Sequence, residues 1–138
     1  MTTAASAWLM RLVAQARPLA LTATLPGAPS SVPVARQLAR AMLTGCPRVD
    51  DLLLAVTELA TNAIAYSASG QGGGSFTLSV RTGPQWAMVE VTDEGPASQP
   101  VTGNGWSLAL VQSVTDRAGA ITGPGGCRTA WCEVAWPI

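Results

Sequence analysis

The chain of 138 residues contains no histidine and no lysine, and all eight of its basic residues are arginine. Without imidazole, histidine-based acid–base catalysis, a Ser-His-Asp triad and zinc sites that need a histidine ligand are excluded. Without lysine, a Walker-type phosphate loop is excluded as well, because that loop reaches the phosphates through its Lys. Cysteine is scarce, and Cys46, Cys127 and Cys132 read as reduced, buried thiols rather than metal ligands. The arginines are balanced by eight acidic residues and form no basic stripe, so direct nucleic-acid binding is not expected. Long apolar runs are missing too. Arg11 and Arg17 interrupt the first twenty residues, which therefore read as neither a membrane span nor a signal peptide. Residues 1–18 are expected to form an arm or short helix, helical over 4–16, and the protein is expected to be cytoplasmic with no membrane partner. Aromatic residues are few, yet five of the seven are Trp. Trp86, Trp106, Trp131 and Trp136 fall late in the chain and suit core or subunit contacts, which leaves a homodimer open.

Hydrophobic residues make up 48% of the chain, enough for one core and one domain, expected over residues 19–138. Leu19 to Leu25 alternates with period two and reads as an edge strand, ended by the Pro26-Gly27 turn. Ser30 or Ser31 is placed to cap a helix with Pro33 in its first turn and Val34, Leu38, Met42 and Leu43 as its stripe. Asp50 and Asp51 open a second and more apolar helix, running to about Ser67 through Leu52, Val56, Leu59, Ala60 and Ala63. The Ser69–Gly74 run reads as a flexible linker. Strands are expected over 75–81 and 86–92, joined at Gly83-Pro84, with Trp86 and Met88 and one of Val89 or Val91 on the apolar face of the second. A polar loop spans 93–104. A helix follows from Gly105 with Leu108, Val111 and Val114 on one face, and a closing hairpin occupies 120–122 and 127–136. The order predicts a two-layer α/β sandwich: a mixed, mostly antiparallel sheet with helices on one face.

Four segments carry polar groups that chemistry could use. Glu58 and Asn62 lie four apart on the apolar helix, about 40° apart around its axis. A carboxylate and a carboxamide on such a helix need partners or a site, although the same spacing also fits a solvated helix edge. Asn offers a hard oxygen for Mg²⁺, and Glu can orient a hydroxyl or take its proton. Asp93 ends a strand and Gly95 follows two residues later, so a carboxylate can accept a hydrogen bond from an adenine amino group while the glycine lets backbone approach a flat base. Gly103-Asn104-Gly105 leads into a helix, whose N-terminal amides favour phosphate oxygens. Arg128-Thr129-Ala130-Trp131 opens the last strand, with Thr129 placed to hydrogen-bond near a base.

In this order and spacing, residues 20 to 136 resemble the GHKL (Bergerat-fold) ATPase superfamily, and within it the actinobacterial anti-sigma-factor serine kinases and ATP-binding regulators. Glu58-Leu59-Ala60-Thr61-Asn62-Ala63 is similar to the family's N-box. Asp93-Glu94-Gly95-Pro96 is similar to its first glycine box, Gly105-Trp106-Ser107-Leu108-Ala109-Leu110-Val111 to its second, and the stretch from Gly126 to Trp131 to its terminal strand. The resemblance implies that Glu58 is the general base or the water-orienting residue, that Asn62 ligates Mg²⁺ and that Asp93 and Gly95 receive adenine with help from Thr129. It also implies that Gly103, Gly105 and Ser107 belong to the phosphate lid. The implied cofactors are ATP and Mg²⁺. The implied activity is phosphoryl transfer to a Ser or Thr of an anti-sigma-factor antagonist, with a sigma factor as second protein partner. Three departures stand out: Tyr66 where the family carries His, Ser107 where it carries Gly, and no Arg or Lys between Gly95 and Gly105. They keep open a non-catalytic partner-binding module with a degenerate nucleotide site.

Overall fold

The computed structural model describes residues 19–98 and 106–137. Strands β1 (Leu19–Pro26), β2 (Ser75–Thr82), β3 (Trp86–Thr92), β4 (Arg117–Thr122) and β5 (Arg128–Ala135) form one sheet in the order β1-β2-β3-β5-β4. All four pairings are antiparallel. Helices α1 (Ser31–Met42), α2 (Val49–Tyr66) and the short α3 (Ala109–Val114) cover one face. The two-layer α/β sandwich follows from the amphipathic periods of the sequence. The expected arm at 1–18 lies outside the described residues.

The pleat sorts each strand into two rows. Phe76, Leu78 and Val80 of β2, Ala87, Val89 and Val91 of β3, and Ala130, Cys132 and Val134 of β5 are buried. They meet Leu52, Leu53, Val56, Leu59, Ala60 and Ala63 of α2. Trp86 and Met88, expected in the core, belong to the other row of β3, with Glu90 and Thr92. Both rows of β3 are rich in apolar residues, and the helix layer takes the one made of small and β-branched side chains. The opposite face of the sheet carries cross-strand hydroxyl pairs: Thr22–Ser79 at 3.3 Å, Thr24–Thr77 at 3.2 Å and Thr92–Thr129 at 2.9 Å. It also carries the Arg81–Glu90 ion pair at 2.9 Å. Neither Ser30 nor Ser31 caps α1 through its side chain; the helix begins instead from a turn in which the Ser31 amide donates to the Ala28 carbonyl.

The run expected to be a linker is packed. After α2 the chain forms a 3₁₀ turn over Ala68–Gly70 and threads beside Gly27, whose amide donates to the Gly74 carbonyl at 2.8 Å. A Cβ on Gly27 would stand 1.5 Å from the Ser69 carbonyl oxygen, and one on Gly70 would stand 1.8 Å from that of Ile64. Glycine serves here for close approach of two backbones rather than for flexibility. The buried Ser67 and Ser69 hydroxyls replace missing backbone partners: Ser67 Oγ donates to the Ala63 carbonyl, and Ser69 Oγ accepts the Glu94 amide.

A second tie joins the start of α2 to the β4–β5 edge. Arg48 donates to Asp116 at 2.8 Å, to Asp51 at 3.2 Å and to the Val114 carbonyl at 3.0 Å, while Asp116 also accepts the Ala135 amide at 2.8 Å. The Arg48 guanidinium, followed by the Ala135 amide, holds the Asp116 carboxyl below its ordinary value. The folded value lies below the unfolded one, so this contribution is present above the unfolded carboxylate range near pH 4 and is lost as pH falls through the folded value. Asp116 is 45% exposed, so solvent screening holds the contribution to about 1 kcal/mol or less. Asp116→Asn should lower the melting temperature at neutral pH, and the gap from wild type should narrow on acidification below about pH 4. Calorimetric scans across pH check this, and a gap that persists at low pH would contradict it.

Candidate functional site

Asp93 follows β3 by one residue, so the pleat turns its side chain to the helix face, where it is 5% exposed. Its Oδ1 accepts the Gly95 amide at 2.8 Å and the Arg128 amide at 3.2 Å. Its Oδ2 accepts Arg128 Nε at 3.3 Å. Gly95 has φ 93°, a conformation open to glycine, and a Cβ there would lie 3.0 Å from the Gly126 carbonyl. The packed turn after α2 holds this loop: the Ala68 amide donates to the Gly95 carbonyl and the Glu94 amide to Ser69 Oγ, each at 2.9 Å. The Glu94 carboxylate in turn accepts the amide and the hydroxyl of Ser75.

A cavity of about 330 Å³ opens beside the carboxylate, lined by Tyr66, Asp93, Gly95, Pro96, Thr122, Gly126 and Arg128. Its volume is near the lower limit for small-molecule sites. Two of its walls, Tyr66 and Arg128, were given no site role from the sequence. Tyr66 ends α2 at the second i+4 step from Glu58, so it shares a side of the helix with Glu58 and Asn62. Arg128 holds the carboxylate from the start of β5, and its guanidinium carbon stacks 4.0 Å from the Trp106 ring centroid. Strand parity was the available signal. Ala130, Cys132 and Val134 form the core row of β5, so residue 128 shares their face and residue 129 does not.

The remaining expected residues divide. Asn62 is 7% exposed and its Nδ2 donates to the Ser107 carbonyl at 2.8 Å, which ties the second glycine box to α2. Its Oδ1 makes no hydrogen bond among the described residues. Glu58 is half-buried and has no hydrogen bond or ion pair among the described residues. It stands one helical turn from Asn62 and two from Tyr66, roughly 12 Å along the axis. Neither Glu58 nor Asn62 lines the cavity around Asp93. Ser107 Oγ accepts the Ala109 amide at 3.1 Å at the start of α3, which begins at Ala109 rather than near Gly105. Thr129 is not brought to Asp93. It points to the far face of the sheet, bonded to Thr92, and lines a separate depression with Met88, Ile121 and Trp131. Thr129 therefore does not line the cavity beside Asp93, whereas its neighbour Arg128 does. Gly103 and Gly105 lie outside the described residues.

Among the described residues no group of three or more His, Cys, Asp or Glu side chains could hold a metal ion. Burial pushes the Cys132 thiol up to about 12 and raises that of Cys46, so both stay protonated and unreactive at neutral pH. No helix among the described residues is long and apolar enough to cross a membrane.

A search of curated proteins finds no match. Among solved structures, the chain is similar to the crystal structure of the RsbU and RsbW domains of Rv1364c from Mycobacterium tuberculosis, with TM-score 0.67 and 19% identity. That likeness covers 87% of this chain and 32% of the other, so this chain spans about a third of that structure's length. A looser likeness joins it to the NMR structure of the histidine kinase domain of the E. coli osmosensor EnvZ, with TM-score 0.45, 20% identity, and coverage of 90% and 92% of the two chains. Residues 25–130 match the pattern of the histidine kinase-like ATPase domain, and the chain belongs to that family.

Proposed function

We propose that this domain binds ATP with Mg²⁺ and acts as an anti-sigma factor that phosphorylates a Ser or Thr of an anti-sigma-factor antagonist. The observation that carries the reading is the buried Asp93 carboxylate facing a small cavity between Tyr66, Gly95 and Gly126. The donor set fits a purine. Oδ1 is filled by two backbone amides, whereas Oδ2 carries a single side-chain donor, Arg128 Nε, whose place an exocyclic amino group can take. Gly95 and Gly126 present bare backbone to the cavity, and Tyr66 offers a ring to stack on. The family match and the sequence resemblance to the anti-sigma-factor kinases support the choice of ligand and partners.

The chain's own contribution is positioning. With the base at Asp93, the polar side of α2, from Tyr66 through Asn62 to Glu58, would be the side that meets the phosphates. Asn62 Oδ1 is the hard oxygen for Mg²⁺, which commonly takes one or two protein oxygens and keeps water and phosphate for the rest. Glu58, unpaired among the described residues, is available to orient the acceptor hydroxyl and take its proton. Bound ATP·Mg²⁺ supplies a γ-phosphoryl group whose transfer depends mainly on alignment and charge stabilisation. The sigma factor and the antagonist would dock on the protein surface as macromolecular partners. A second reading, a partner-binding module with a weakened nucleotide site, is favoured by Arg128 holding Asp93 from within the chain.

Calorimetric titration with ATP and Mg²⁺ should detect binding, and Asp93→Asn should weaken it by about tenfold or more, the effect of a lost hydrogen bond to a charged group. No heat at millimolar nucleotide favours the module. Glu58→Ala should leave nucleotide affinity within about twofold while cutting phosphoryl transfer to the antagonist by roughly a hundredfold or more. Radiolabel transfer measures this, and unchanged phosphorylation removes Glu58 from the chemistry.

A further inference from the structure

Trp106, Arg128 and Asp93 form a stack against the base cavity. The ring of Trp106 covers the guanidinium, and the guanidinium's Nε–H is held by Asp93 Oδ2. The two carboxylate oxygens are not equivalent. Oδ1 is consumed by the amides of Gly95 and Arg128 and shapes the loop. Oδ2 is the oxygen left for a ligand, and Arg128 holds it at 3.3 Å from a position that itself lines the cavity.

The geometry points to Arg128 as an internal latch on the base site, one that competes with the ligand's amino group for Asp93 Oδ2 and is kept closed by Trp106. This inference rests on the nucleotide reading above and adds regulation to it. A charge-assisted hydrogen bond with a cation–π contact behind it must be displaced or rearranged for the base to seat. Only the fraction of molecules with the latch open binds at intrinsic strength, so the apparent affinity falls by that fraction. Trp106 lies at the edge of the second glycine box, beside Ser107, whose carbonyl is bonded to Asn62. A partner or phosphate group that shifts this segment would pull the indole from the guanidinium and release Arg128. Nucleotide affinity is thereby coupled to the phosphate end of the site through one side-chain stack.

The test is calorimetric titration of the full chain with ATP and Mg²⁺ at neutral pH. Three proteins are compared: wild type, Arg128→Met and Trp106→Leu. The latch predicts about tenfold tighter binding for Arg128→Met and about threefold tighter binding for Trp106→Leu. Trp106→Leu leaves the Asp93–Arg128 pair in place, so it carries the test if Arg128→Met does not fold. Equal or weaker binding in the folded variants overturns the latch while the nucleotide site stands. No binding in any of the three overturns the nucleotide reading, and the latch with it. Binding by the variants alone supports both.

Discussion

A buried carboxylate at the end of the central strand organises this molecule. Taking the charge of Asp93 out of water is costly unless donors replace the solvent. The chain supplies three, the Gly95 and Arg128 amides and Arg128 Nε. Meeting that need fixes the path of the loop after β3, draws the start of β5 against it and leaves a hollow lined by Asp93, Tyr66 and two glycines. The cavity walls at Tyr66, Gly95, Gly126 and Arg128 depend on this arrangement.

The support for the carboxylate comes from a segment whose composition reads as slack. The Ser69–Gly74 stretch has the composition of a flexible linker, yet its Ser69 hydroxyl accepts the Glu94 amide, and Ala68 just before it donates its amide to the Gly95 carbonyl. Composition reports which φ values a chain can reach, not whether a neighbouring backbone passes too closely for a Cβ. That second constraint is tertiary, since Gly27 is more than forty residues away from Ser69 in sequence, so local pattern does not reveal it.

The layers, the order of elements and the central helix were legible because period-two and period-3.6 patterns are strong in β1, β2, α1 and α2. The polar pair on α2 and the strand-end Asp93 were legible for the same reason, as polar residues set against an apolar pattern. What failed was parity. In β3 both rows are apolar enough to serve as core, and Glu90 was the mark of the outer one. In β5 the core row Ala130, Cys132 and Val134 assigns the inward position to Arg128 and turns Thr129 outward. A long cation beside the Asp93 carboxylate runs against an expectation built on hydroxyls, and its partner Trp106 comes from a different segment. The sequence resemblance likewise does not reveal how a strand-start arginine shares the carboxylate.

The central claim is that the hollow beside Asp93 receives the base of ATP. Backbone amide chemical-shift mapping with ATP·Mg²⁺ tests it directly. The account predicts that the largest changes fall on Tyr66, Gly95, Gly126 and Arg128. Changes confined to the far face of the sheet, around Met88, Thr129 and Trp131, or no changes at saturating nucleotide, would contradict it.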